Sequence, residues 1–145
     1  RYRHDLQKPL GILLSLNRAG GFVPGKVFSI SLPKMHHISA DLVPFASTQQ
    51  RSTPSLTTPV NLDFTLNIKV PEGYHPLYLP DNENLKTSVG YYKVSYAFKN
   101  GIFTEHNSLL IKHFIVSSKA FPDLHEIAAL ALESDHQALV LEKSA

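Results

Sequence analysis

Eight histidines are the first residues in this chain that could do chemistry: His4, His36, His37, His75, His106, His113, His125 and His136. A zinc centre needs three or four ligands converging at about 2.0–2.1 Å, usually with recognisable local spacing. Adjacent His36 and His37 point to opposite faces if extended, so they chelate poorly. Neither an H-E-x-x-H nor an H-x3-H pattern is present. The histidines therefore read as surface groups, with His113 a core or boundary residue satisfied by a hydrogen bond. No metal and no cofactor is expected.

Nucleophiles fare no better. The chain has no cysteine, which removes disulfides, thiolate metal sites and a thiol nucleophile together. A serine hydrolase needs an activated serine with a base and an orienting acid, and no G-x-S-x-G elbow occurs. Ser117-Ser118 stands at a strand-to-helix junction, where helix capping is the ordinary explanation. Asp63, Asp81, Glu83, Glu105 and Glu126 show no context that marks a glycosidase pair. Gly20-Gly21 lacks the helix and Lys-Ser/Thr that a phosphate-cradling loop requires. No catalytic residue is expected. The tyrosines carry more: Tyr74, Tyr78, Tyr91 and Tyr92 gather in sequence around Asp81–Gly90, where exposed rings could stack on a sugar or anchor a peptide. The ordinary alternative is that Tyr92, and with it Tyr78, belongs to the core.

The elements that would position these groups are mostly strands. Leu62, Phe64, Leu66, Ile68 and Val70 alternate with Asp63, Thr65, Asn67 and Lys69, so Val60–Val70 reads as a core strand of an antiparallel sheet. Pro71-Glu72-Gly73 ends it. Lys26–Leu32 alternates as a half-buried strand, Gly11–Leu16 is a short apolar strand, and Asp41–Phe45 is a weak strand candidate. Asn17–Gly25 and Ala46–Pro59 read as loops, Pro76–Pro80 as extended, and Asp81–Gly90 as loop. Tyr91–Phe98 places Tyr92, Val94, Tyr96 and Phe98 on one face. Asn100-Gly101 then predicts a type I′ hairpin, because both central residues of that turn need positive φ. Ile102–Val116 returns as one long strand or a broken pair, with Leu109–Val116 apolar enough for burial on both faces. At Ser117 the period changes. Phe121, Leu124, Ile127, Ala128, Ala131 and Leu132 share one face of a helix over 121–134, with Pro122 suited to its first turn. Leu130 falls on the opposite side of that wheel, a candidate interface residue. Gln137–Glu142 is a final short strand.

At 145 residues, 43% of them hydrophobic and 18% charged, the chain suits one folded domain with a sizeable core. A net charge of +2, with no Lys/Arg block, gives no basis for nucleic-acid binding. No apolar run approaches the ~18–20 residues of a membrane span. Residue 1 is Arg and the only methionine is Met35, so the chain is expected to be the C-terminal fragment of a longer protein. The fold class expected is an antiparallel β-sandwich over 1–145, with 1–9 a lead-in, one C-terminal α-helix at 121–134 and a short final strand.

The second half resembles a known family in its order of short motifs. Arg51-x-x-Pro54 precedes Pro59-Val60. The alternating strand ends in Pro71-Glu72-Gly73-Tyr74, and Leu79-Pro80 follows. A strand pair starts at Gly90, then come Ile111–Val116, Phe121-Pro122-Asp123-Leu124 and Leu139-Val140-Leu141-x-Lys143. From Val43 to Lys143 this is similar to the β-rich C-terminal domain of unknown function that follows a transglutaminase-like domain in large exported bacterial proteins. The resemblance implies a non-catalytic accessory domain, exported to the periplasm or cell surface, whose partner is a peptidase or cross-linking module upstream in the same parent. Any thiol chemistry would belong to that module, since this chain has no cysteine to carry it. The alternative from another class is a glycan- or peptide-binding module using the tyrosine-rich loops.

Overall fold

The computed structural model describes residues 26–32 and 36–144. The expected lead-in, the Gly11–Leu16 strand and the 17–25 loop lie outside them. In chain order the elements are β1 (Val27–Ser31), α1 (His36–Ala46), β2 (Ser55–Leu56), β3 (Val60–Lys69), β4 (Tyr74–Pro76) and β5 (Glu83–Lys86). They continue with β6 (Gly90–Lys99), β7 (Ile102–Ile111), β8 (Ile115–Val116), α2 (Phe121–Ser134) and β9 (Ala138–Lys143). The chain is mostly β, and the sheets are antiparallel: β3-β7-β6-β5, β1-β9-β4 and the small pair β2-β8.

The hairpin between β6 and β7 is the one its sequence encodes. Asn100 and Gly101 both take positive φ, 53° and 74°, and Lys99 pairs with Ile102 across them. Alternation sets the two faces of the four-stranded sheet. Tyr92, Val94 and Tyr96 of β6 and Phe103, Leu109 and Ile111 of β7 are buried on the inner face. There α2 packs against β6. The helix begins with Pro122 in its first turn, as expected, and buries Phe121, Leu124, Ile127, Ala128 and Ala131. Leu139 and Leu141 of β9 join the same core.

Several expectations need correction. Among the described residues there are two helices, not one, because His36–Ala46 is α1 and takes in the weak strand candidate Asp41–Phe45. Ile38, Leu42 and Phe45 are spaced i, i+4, i+7, a helical period hidden by the strand-like Val43-Pro44-Phe45. Leu42 is buried and α1 packs on α2, whose burial area outweighs the backbone bond that Pro44 cannot donate. Phe45 meets Phe121 edge-on at 6.4 Å, and the Arg51 guanidinium stands 5.4 Å from the Phe121 ring centre. Asp81–Gly90 is not all loop, since β5 adds a strand to β6. β3 lies at the edge of its sheet, not the centre, so its apolar face is only half-buried. The run Leu109–Val116 is broken after Ile111, and Phe114 and Ile115 are each 61% exposed instead of buried. Ser117 does not cap α2: its Oγ accepts from the Ala120 N–H in the preceding turn at 3.3 Å.

Candidate functional site

The outer face of the four-stranded sheet brings together a serine, a histidine and an aspartate that no local motif announced. Register opposes Asp63 to Ser108 and Thr65 to His106 across β3 and β7. Ser108 Oγ donates directly to Asp63 Oδ1 at 2.5 Å. His106 Nε2 lies 3.4 Å from Ser108 Oγ and 3.7 Å from Asp63 Oδ1, and its Nδ1 bonds Thr65 Oγ1 at 2.9 Å. A hydrolytic triad instead puts the histidine between nucleophile and acid, the acid holding the ring by its other nitrogen. Here carboxylate and serine share one side of the imidazole, on an open pleated face. The group is a cross-strand polar ladder.

The four tyrosines do not converge. Tyr92 is fully buried under α2, which corrects its reading as a binding ring. Asn107 Nδ2 donates to its Oη at 2.8 Å, and that phenol in turn contacts Ser134 Oγ, whose own proton goes to Ala131 O at 3.1 Å. Burial pushes Tyr92 up to about 12. Tyr91, next along β6, points to the outer face and is half-buried opposite Leu110. Tyr74 is half-buried in the other sheet, opposite Lys143. Tyr78 alone stays well exposed, at 51%. His113 is exposed rather than a core residue. Leu130 is neither exposed nor fully buried and packs against the core.

Tyr78 stands at a cavity of about 220 Å³ that the tyrosine count had not placed. Its walls come from the 78–83 segment, the β5–β6 edge and the last turn of α2. Two bonds hold the segment in place: Tyr78 Oη donates to Gln137 Oε1 at 3.2 Å, and the Tyr96 N–H donates to Asn82 Oδ1 at 2.7 Å. The tyrosine at the cavity wall beside Tyr78 is Tyr96, which the alternation of β6 places on one face with Tyr92 and Val94. Tyr96 is 7% exposed, and its Oη has no hydrogen-bond partner. Across the ladder its register partner is Glu105, buried, with Oε2 also unpartnered. Burial raises the Glu105 pKa above the ordinary carboxylate value, and Asp135 adds to the rise. A buried carboxyl opposite a buried phenol is invisible to local spacing; its only sequence signal is a charged residue on the apolar face of β7.

A second, more apolar groove of about 400 Å³ runs between α1 and the β2–β8 pair, bordered by Leu42, Phe45, Leu56, Val60, Ile111 and Phe114. Among the described residues no group of three His, Cys, Asp or Glu could hold a metal ion, and no helix is long and apolar enough to cross a membrane.

No curated protein matches the chain in sequence. Its fold is similar to a crystal structure described as that of "a putative protease" from Parabacteroides distasonis, with a TM-score of 0.68 and 10% identity. The likeness covers 80% of this chain and 23% of that one, so the chain spans about a quarter of that protein's length. At such identity it is a likeness of fold. A model of a domain of unknown function with a solved structure, DUF3858, matches residues 26–141, from β1 into β9. The chain belongs to the DUF3858 family.

Proposed function

We propose that this domain is a non-catalytic accessory module that packs on, or positions, a transglutaminase-like peptidase or cross-linking domain of the same parent protein, exported to the periplasm or cell surface. The observation that carries the reading is the apolar surface at β2–β8. Leu56 is 66% exposed, and Phe114 and Ile115 are 61% exposed, beside the groove against α1. Large apolar side chains gathered at one place and left in water mark a surface made for covering. The motif order from Arg51 to Lys143 supports the identity of the partner, and the absence of cysteine leaves thiol chemistry to it. The test is co-purification with the upstream domain of the parent chain. Phe114→Asp and Leu56→Asp are expected to abolish association while the melting temperature of this domain holds. Undiminished association would sink the assignment of this face.

A second reading, glycan or peptide binding, draws on the exposed Tyr78 beside its cavity. Loss of glycan or peptide binding on Tyr78→Ala, with association to the upstream domain unchanged, would favour it.

A further inference from the structure

We propose that the cavity beside Tyr78 and Tyr96 is a binding site for an ammonium or guanidinium group on a short apolar stem, the chemistry of a lysine or arginine side chain or of a free diamine. Charge gives the first argument. Asp81, Glu83 and Glu133 border the cavity, and no lysine, arginine or histidine does. None of the three carboxylates forms an ion pair among the described residues. An anionic ligand would meet three like charges, whereas a cation meets three opposite ones.

Hydrogen-bonding capacity gives the second, and it is independent of charge. Tyr96, a lining residue, keeps its buried Oη unpartnered, and its register partner Glu105 does the same with Oε2. A buried polar atom without a partner is costly, and a native fold that keeps one leaves a place for a ligand group to satisfy it. Two of the donors at the site are already engaged. Tyr78 Oη donates to Gln137, and Ser134 Oγ donates to Ala131 O. What remains is dominated by acceptors: the three carboxylates, Gln137 Oε1 and the phenol oxygen, which can also donate. With three carboxylates among them, these atoms favour a group rich in donors and positively charged, as ammonium and guanidinium are. Val94, Leu130 and Pro80 supply apolar wall for the methylene stem, and Tyr78 adds an aromatic ring to the lining. The two bonds across the 78–83 segment hold this geometry before any ligand arrives.

The site shares no lining residue with the β2–β8 groove, so the inference stands apart from the accessory role. It narrows the second reading to its peptide half. The test is a two-dimensional NMR titration of the 145-residue chain with four probes: cadaverine, a capped Gly-Lys-Gly peptide, a capped Gly-Arg-Gly peptide, and the same peptide with norleucine as neutral control. The cationic probes are expected to shift the amides of Tyr78, Tyr96, Ser134 and Gln137, and the norleucine peptide to leave them in place. Asp81→Asn and Glu83→Gln, both exposed and safe for folding, should weaken binding about threefold to tenfold. Tyr96→Phe, which removes only the unpartnered oxygen, should weaken it further. Tighter binding of cadaverine than of either cationic peptide would assign the site to free amines, and the reverse to side chains. Shifts of equal size with the norleucine peptide, shifts confined to other residues, or none up to about 10 mM of any cation would overturn the proposal. A neutral oligosaccharide that binds there when cations do not would overturn it while leaving the glycan reading in place.

Discussion

Gly90 and Gly101 are both glycines for a reason, and the reasons differ. Gly101 has φ of 74°, yet a Cβ built on it would meet nothing within 4 Å. Its constraint is conformational, so Gly101→Val should cost more than ~1 kcal/mol through a β-branched residue at positive φ. Gly90 is constrained by space instead. A Cβ there would lie 1.8 Å from the backbone oxygen of Leu110, on the neighbouring strand. Backbone cannot step aside as a flexible side chain does, so Gly90→Ala should reach the upper end of the roughly 1–3 kcal/mol that overpacking costs. Urea denaturation ranks the two; a smaller loss for Gly90→Ala would mean that β6 and β7 separate more readily than their register implies. Glu105 gives a pH dependence. Its folded pKa is raised from the ordinary 4.5, chiefly by burial. The folded state therefore holds the proton more tightly, and this contribution to stability is fully present below the ordinary value and lost as pH rises through the folded one. The melting temperature should fall over that window, and Glu105→Gln, uncharged throughout, should flatten the slope. A slope unchanged by the substitution would place its origin in another group.

At the scale of elements, α2 is the piece that joins the layers. An isolated helix of 14 residues is marginal in water, so its apolar stripe must be covered. Sheet and α1 cover it from two sides: α2 packs on β6 and on α1 alike. This explains why Leu130, opposite the stripe on the wheel, is half-buried rather than free. Ile127, fully buried, should cost roughly 2–4 kcal/mol on truncation to alanine through lost burial and a cavity. Leu130→Ala, with less contact to lose, should cost about 1–2 kcal/mol. Thermal or chemical denaturation of the two variants decides it, and equal losses would mean that Leu130 is packed as tightly as Ile127. Asp123 adds a tie between elements, accepting from the Ser88 N–H at 3.0 Å and from its Oγ at 2.5 Å, which anchors the start of α2 to the β5–β6 turn.

For the whole molecule, the informative contrast is between two surfaces. The edge of β5–β6 carries a small acidic cavity held by hydrogen bonds, while the ends of β3 and β7 adjoin a larger apolar groove. One suits a charged group, the other a broad covering surface. Neither collects the histidines. Equimolar zinc is therefore expected to leave the melting temperature unchanged, since only selective binding to the native state would raise it. A rise that disappears on replacing His36 and His37 would reveal a site at the start of α1.

Local signals in the chain specified what depends on neighbours along it. A period of two over Val60–Lys69 could only be a strand with one wet face, Asn100-Gly101 could supply two positive φ angles, and the Phe121–Ala131 stripe needed a helix. Mostly antiparallel β structure, with a late helix and a last strand, was legible from those signals. Tertiary structure decided everything that depends on which elements become neighbours in space. Strand periodicity cannot say that β3 is an edge, because alternation is the same at an edge and in the middle. It cannot place Asp63 beside Ser108, 45 residues away, because that contact exists only through the register of β3 on β7. The tyrosines near one another in sequence parted for the same reason: adjacent strand residues such as Tyr91 and Tyr92 face opposite ways, while Tyr78 and Tyr96 meet at one cavity across 18 positions of chain.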